Sequence, residues 1–338
     1  VGNPLDRAAE PRPLPFTAAA AGGLVSLLVQ SVVLRESLFG SHLSELVSGI
    51  VLAGWLAASG TGAALAGRIV RRRAAWGLSM LALPPAGFLQ VALSRTAGLH
   101  PALACIPAGL AAGAVFIVPF AGRPPGRVYA AETLGAVLGG ALFVVLSPRI
   151  LATGMFAAAA VLAAVGLLAA GFRRVGAAAL LPIPLLFVTG LDRAAARWLC
   201  EARLGAMGAI ELHASPYGET AVVTRSGQTS ICRNGLLEAS SPSIEDAESA
   251  VVVPLLAAAP ETVLHVGASP DEAWLISGWP GVRRFAGVVP DPVLPRLVGY
   301  PPGTRGGDAR RFLSREDDLC ADLVIVSEGQ PLSLLSNR

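Results

Sequence analysis

The sequence predicts an α-helical transmembrane bundle of six or seven spans followed by an α/β domain that opens with a small β-sheet, and three observations carry this expectation. Charged residues make up 14% of the 338 positions, against about 25% in ordinary soluble domains, while 53% are hydrophobic and the mean hydropathy is +0.61. The acids are segregated: five (Asp6, Glu10, Glu36, Glu45, Glu132) precede Asp192 and the other eighteen of the 23 begin with it, whereas the arginines divide evenly, thirteen and thirteen. The patterning also changes near Arg197, from apolar runs of membrane-spanning length to short strand-length and helix-length segments.

Residues 1–15, rich in proline and charge, are expected to form a disordered lead-in. A cleaved signal peptide fits poorly, because the apolar run that follows is long and is succeeded by others. A helix needs about 20 mostly apolar residues to cross a bilayer, where no water pairs with stray backbone groups. Within 16–191 the runs that qualify are Phe16–Leu34, Leu43–Leu65, Ala74–Leu93, Ala102–Ala121, Tyr129–Leu146, Leu151–Gly171 and Val175–Gly190. The last is short and broken by Pro182 and Pro184, so a re-entrant or interfacial segment is the alternative to a seventh span.

Small residues four apart, Gly60 with Ala64 and Gly135 with Gly139, are expected to let helix backbones approach closely. Ten arginines lie in the lead-in and the even-numbered loops (Arg7, Arg12, Arg68, Arg71, Arg72, Arg73, Arg123, Arg127, Arg173, Arg174), and only Arg35, Arg95 and Arg149 lie in the others. Cationic loops stay cytoplasmic, so the expectation is an integral membrane protein, of a bacterial inner membrane, with its N-terminus inside. Six spans would leave the second half cytoplasmic and seven would place it outside.

Every basic residue is arginine. The absence of lysine excludes Schiff-base chemistry and a Walker-type phosphate loop. Cys105, Cys200, Cys232 and Cys320 are scattered, with no metal-ligand spacing, so no metal site is expected. No nucleic-acid partner is expected either; the partner that the composition requires is the lipid bilayer.

Residues 192–208 are expected to be a linker, 209–241 a small β-sheet subdomain and 242–338 a doubly wound α/β domain. Ala221–Thr224 and Thr229–Ile231 form a hairpin pattern turning at Gly227. Glu245–Ala259 is expected to be a helix N-capped by Ser243. Thr262–Val266, Arg284–Val289 and Leu323–Val326 are strand patterns, and Asp271–Ser277 a helix between the first two. Such alternation implies a parallel sheet.

Ser215-Pro216-Tyr217, Asn234-Gly235-Leu236-Leu237-Glu238 with Ser240-Ser241, the strand and loop Val263-Leu264-His265-Val266-Gly267, Gly307-Asp308-Ala309-Arg310, and Asp322-Leu323-Val324-Ile325-Val326 followed by Pro331 and Asn337-Arg338 together resemble the polyamine aminopropyltransferases, the spermidine synthases. Val33-Leu34-Arg35-Glu36, the run Gly49–Leu56 and the run Val128–Gly135 resemble the branch in which a helical membrane domain precedes the synthase domain. The resemblance implies a Rossmann-like domain taking decarboxylated S-adenosylmethionine as co-substrate, with no tightly bound cofactor. Its activity would be aminopropyl transfer to putrescine, so nucleosides and polyamines are the implied small-molecule partners. Carboxylates would bind the amine and one would act as base.

By the same resemblance Gly267, Asp271, Asp291 and Asp308 would contact the nucleoside co-substrate, and Tyr217 and Glu248 the amine. The loop Gly267-Ala268-Ser269-Pro270-Asp271 has proline where the family has an acid, with Asp271 one residue later. Val289 stands at the ribose-binding acid, Gly218 at the glutamine after Ser-Pro-Tyr, and Ser327 and Gln330 at the two catalytic aspartates. Glu328, next to Ser327, points to the opposite side of an extended segment. The family's sequence continues beyond Asn337-Arg338, so the sheet is expected to lack its last strands here.

Classical activity is therefore expected to be weak or lost. A non-catalytic membrane-bound docking module is one alternative, and a small-molecule transporter with a soluble appendage is the other. Asp308 has helix capping as its rival role. His265 falls inside a strand and is expected to be a satisfied core histidine, His213 has no evident partner, and His42 and His100 fall beside helix ends. Glu132 stands near the start of the fifth span, where an intramembrane carboxylate is a functional candidate; Arg35 and Arg149 are its candidate partners.

Overall fold

The computed structural model describes residues 14–40, 45–68, 72–97, 99–120, 123–180, 191–204, 209–215, 218–234, 236–315 and 320–327. They fall into two compact units, the first within Val1–Leu146 and Ala152–Leu199 and the second within Ser147–Leu151 and Cys200–Arg338.

The first unit is helical: α1 (Phe16–Gly40), α2 (Glu45–Gly67), α3 (Arg72–Thr96), α4 (Pro101–Ala104), α5 (Ile106–Ile117), α6 (Pro125–Leu146), α7 (Ala152–Ala169) and α8 (Arg173–Leu180). Five of these, α1, α2, α3, α6 and α7, are long and apolar enough to cross a membrane. The fourth expected span is not one helix. It breaks at Cys105 into α4 and α5 and ends in a 3₁₀ turn at Val118–Phe120. Pro107 lacks the N–H that would continue the ladder and occupies the first turn of α5, while the Cys105 thiol donates to the Ala102 carbonyl. The helix α8 covers the start of the seventh expected span, and residues 181–190 lie outside the described residues, as do residues 1–13 of the lead-in and His42. The stretch expected as linker is helical over α9 (Leu191–Leu204).

Small residues organise the bundle where lipid supplies no hydrophobic drive. Helix α1 packs on α6, α7 and α3, and α2 packs on α5. A Cβ added to Gly135 would lie 1.9 Å from the Ala20 carbonyl oxygen, and one on Gly139 2.4 Å from that of Leu24, so α1 and α6 touch backbone to backbone. On the α2–α5 seam the close approaches are Gly62 against Leu110 and Gly113 against Ser59. Gly60, expected at such a seam, faces open space. Rotation of α2 about its axis decides which small residues meet a neighbour, and spacing alone does not specify that rotation.

Several charges of this unit are tied down. Glu36 is 4% exposed and pairs with Arg95 and with Arg35, the latter at 3.0 Å. Arg35, a candidate partner of Glu132, is thus bound to its neighbour in sequence and also lies over the Phe143 ring. Arg73 donates to the Ala170 carbonyl at the end of α7 and stacks on Phe172. His100 caps α4, its Nδ1 accepting from the Ala102 amide.

The second unit opens with an antiparallel meander, β1 (Ala209–Ser215), β2 (Gly218–Arg225), β3 (Gln228–Arg233) and β4 (Leu236–Ser241). Arg225 pairs with Gln228 around Ser226 and Gly227, at φ 50° and 83°. Left-handed conformation at both turn residues suits the right-handed twist of a two-residue hairpin. Gly218, at φ 118°, could carry no side chain: its Cβ would meet the Asn234 Oδ1 at 2.0 Å. The glutamine of the resembled family cannot stand there while Asn234 accepts from the Glu219 amide.

Helix α10 (Ile244–Ala258) then leads to β5 (Thr262–Val266), α11 (Pro270–Ser277), β6 (Arg284–Val289), α12 (Leu294–Leu297), β7 (Thr304–Gly306), α13 (Ala309–Leu313) and β8 (Leu323–Val326). Ser243 precedes α10 as expected, but its hydroxyl binds the Asp246 carboxylate and not a helix amide. The four strands are parallel in the order β7-β6-β5-β8. One face packs Val263 and Ile325 under Val251 and Leu255 of α10 and Ile276 of α11; the other packs Leu264, Val266, Ala286 and Val288 against Ala309 and Phe312 of α13. The expected strands and helices are all present, and two small sheets make this a mixed α/β domain.

Candidate functional site

In a parallel sheet ordered third, second, first, fourth, the connections after the first and fourth strands diverge and open a crevice at the carboxyl ends. Here those ends are Val266-Gly267 of β5 and Val326-Ser327 of β8, joined by the Ser327 amide donating to the Val266 carbonyl at 2.8 Å. The crevice is narrow. A Cβ on Gly267 would lie 3.0 Å from the Ser327 Cβ and 3.1 Å from the His265 Nε2. Gly267 is thus tightly packed by the protein's own side chains.

His265, 1% exposed, turns its Nε2 to the Glu272 carboxylate at 3.0 Å. Glu272 belongs to the first turn of α11, which Ser269 caps by accepting from the Glu272 amide. With Asp271 and Glu272 both in that turn, the helix N-terminus already faces carboxylates, an arrangement that disfavours a phosphate there.

Neither acid assigned to the nucleoside at this end is free. Asp271 accepts the Ser241 hydroxyl at 2.7 Å and the Ser243 amide at 2.6 Å, closing the corner between β4 and α10. Asp291, fully buried, accepts from Thr220 of β2 and from the Val293 amide. It ties the meander to the turn after β6. Asp308 is exposed and caps α13, accepting from the Arg311 amide at 2.9 Å. Glu248 is exposed on α10. Tyr217 and Gln330 lie outside the described residues, as do Glu328 and Pro331.

The space above β5 and β6 is filled. Val289, 1% exposed, lies in a cluster with Ala268 of the β5 loop, Leu294 of α12, and Val222, Ile231 and Ala239 of the meander. Tyr300 packs on this cluster and donates its hydroxyl to the Ala268 carbonyl at 2.6 Å, latching the loop. Burial, aided by the Glu238 and Asp291 carboxylates and opposed by Arg233, pushes the phenol well above its usual range. Burial and Glu238 push the Cys232 thiol up as well, so it is a poor nucleophile.

His213 is half-exposed on β1, 3.9 Å from the Glu211 carboxylate, and takes no part in the crevice. Sequence reasoning missed the partnership of His265 with Glu272 and the latch from Tyr300. The one available signal was the strand histidine itself, since a buried imidazole needs a partner. Among the described residues no group of His, Cys, Asp and Glu could hold a metal ion.

The fold and site thus define a class: a helical, membrane-associated region with several long apolar helices, joined to a mixed α/β domain whose carboxyl-end crevice is packed with protein side chains. No family model, curated protein or solved structure matches the chain.

Proposed function

We propose that the chain is an integral membrane protein of aminopropyltransferase-like build whose Rossmann-like domain serves as a docking module and does not transfer aminopropyl groups. The likeness is supported by the strand order and by the meander that precedes the parallel sheet. The observation that carries the loss of chemistry is Val289. At the end of β6, where a ribose-binding acid would stand, it is sealed under Val222, Ile231 and Leu294. A charged or hydroxyl-binding group there would need an opening that this apolar cluster fills, and burying it unpaired would be costly.

The loss of the amine site follows from Ser327, which replaces an aspartate at the end of β8; a hydroxyl at that place neither holds an ammonium as a carboxylate does nor serves as its base. The arginine pattern supports a cytoplasmic N-terminus. The test uses the full chain in lipid nanodiscs, given putrescine and decarboxylated S-adenosylmethionine, with calorimetry against adenosine in parallel. No spermidine above the protein-free background and no saturable heat are expected. Turnover on the order of 1 s⁻¹ or faster, ordinary for an enzyme, refutes the loss of catalysis; saturable adenosine binding refutes the sealed crevice.

A further inference from the structure

The five long apolar helices carry three carboxylates: Glu45 is the first residue of α2, whereas Glu36 on α1 and Glu132 on α6 lie within the stretches long and apolar enough to cross a membrane. Glu36 has two arginines. Glu132 has no hydrogen bond or ion pair among the described residues. Its helix starts at Pro125, four residues before the expected start at Tyr129, because proline fits the first turn, whose N–H groups are unpaired anyway. Glu132 therefore sits two turns in, roughly 10 Å along the axis at 1.5 Å per residue. It is no residue of a fraying helix end.

Glu132 lines a cavity of about 380 Å³ between α1, α2, α5 and α6. The wall is mostly glycine, alanine and aliphatic, with the rings of Trp55 and Phe116 and the hydroxyl-bearing residues Ser26 and Ser59. Ser59 borders the cavity, but its Oγ is shut off from solvent, so Ser26 is the serine available to a bound molecule. The size is that of a small-molecule site. A metal ion would demand several oxygen ligands, and one carboxylate with one available hydroxyl on an apolar wall does not supply them.

We infer that this cavity is a binding site for a small organic cation, of the primary alkylammonium class. Glu132 supplies the counter-charge, the Ser26 hydroxyl accepts from the ammonium N–H groups, and the rings of Trp55 and Phe116 cover the charge and the alkyl chain. A partly buried carboxylate on a mostly apolar wall attracts a cation more strongly than one in open water, and aromatic faces add to that preference. The glycine and alanine wall leaves room for an unbranched chain. This inference concerns the helical unit alone and stands whether or not the α/β domain is catalytic.

Equilibrium dialysis of the full chain in nanodiscs against radiolabelled n-butylammonium tests it, with empty nanodiscs as background. Saturable binding at one site per chain is expected, weakened at least tenfold by Glu132→Gln, several-fold by Ser26→Ala, and within threefold of the original in Glu132→Asp. Butan-1-ol, the neutral analogue, should not compete. In the unsubstituted protein, labelling of Glu132 by an apolar carbodiimide, read by mass spectrometry, should be suppressed by butylammonium and not by butanol. Absence of saturable binding together with absence of protection overturns the inference, as does a folded Glu132→Gln protein that binds as tightly as the original.

Discussion

Removing the Asp291 side chain should loosen the meander from the parallel sheet. Asp291 and Thr220 are both 0% exposed, and the carboxylate accepts from the Thr220 hydroxyl and the Val293 amide. Hydrogen bonds to a charged acceptor contribute about 1.5–3 kcal/mol each, and a buried donor left unsatisfied costs about 1–3 kcal/mol. These terms overlap, so Asp291→Ala should destabilise the α/β unit by about 3–5 kcal/mol, at the upper end of single substitutions. Amide hydrogen exchange read by mass spectrometry on peptides of β2 gives the local opening free energy. At about 1.4 kcal/mol per factor of ten, exchange in Gly218–Arg225 should accelerate by two to nearly four orders of magnitude. Thr220→Val removes one donor and leaves the amide contact, so its effect should be smaller. The two substitutions should also be non-additive, because they share one bond. Acceleration below threefold in Asp291→Ala, or strict additivity of the pair, would refute the reading of Asp291 as a tie between sheets and return it to the pool of ligand-holding groups.

In the helical unit, Glu36→Gln leaves Arg95, whose side chain is 5% exposed, without its counter-charge. Breaking such a pair from one side costs about 3–5 kcal/mol, whereas replacing both partners by apolar residues is far milder; the thermal midpoint in detergent should fall clearly for Glu36→Gln and recover in Glu36→Met/Arg95→Met, and an unchanged midpoint for the single variant would refute the tie. High pH offers a second check, because without lysine the three tyrosines and four cysteines dominate titration between pH 9 and 11. An unfolded tyrosine ionises at about 10, but the buried Tyr300 holds its proton to higher pH, so above about pH 10 the unfolded chain binds fewer protons and stability falls as pH rises; Cys232 acts in the same direction. Tyr300→Phe should cost about 1 kcal/mol at neutral pH through the lost hydrogen bond and flatten the alkaline loss of the urea midpoint, and an identical pH profile in the variant would show that Tyr300 is not shielded.

Much of the α/β unit was legible residue by residue. Thr262–Val266, Arg284–Val289 and Leu323–Val326 are strands at the expected bounds, because buried parallel strands are short apolar runs bounded by turn residues. Gly227 marked its hairpin for the local reason that left-handed backbone suits glycine. The candidate site was less legible. Asp271, Asp291 and Asp308 were picked out as carboxylates at plausible positions, and a carboxylate looks the same in sequence whether it faces a ligand or a backbone amide. Only the tertiary structure shows that the oxygens of the first two are occupied by Ser241, Ser243, Thr220 and Val293.

The helical unit divides along the same line. Composition and run length by themselves determined that the first half is a set of long apolar helices, because crossing lipid is a demand on every residue of a segment and so is written locally. The sequence by itself also determined the absence of lysine chemistry. The tertiary structure alone decided that Gly62 meets a neighbour and Gly60 does not, that Glu36 takes Arg95 from a helix 59 residues away, and that Glu132 lines a cavity without a partner among the described residues. Each of these depends on how helices rotate and approach one another, a property of pairs of distant segments that no single segment encodes.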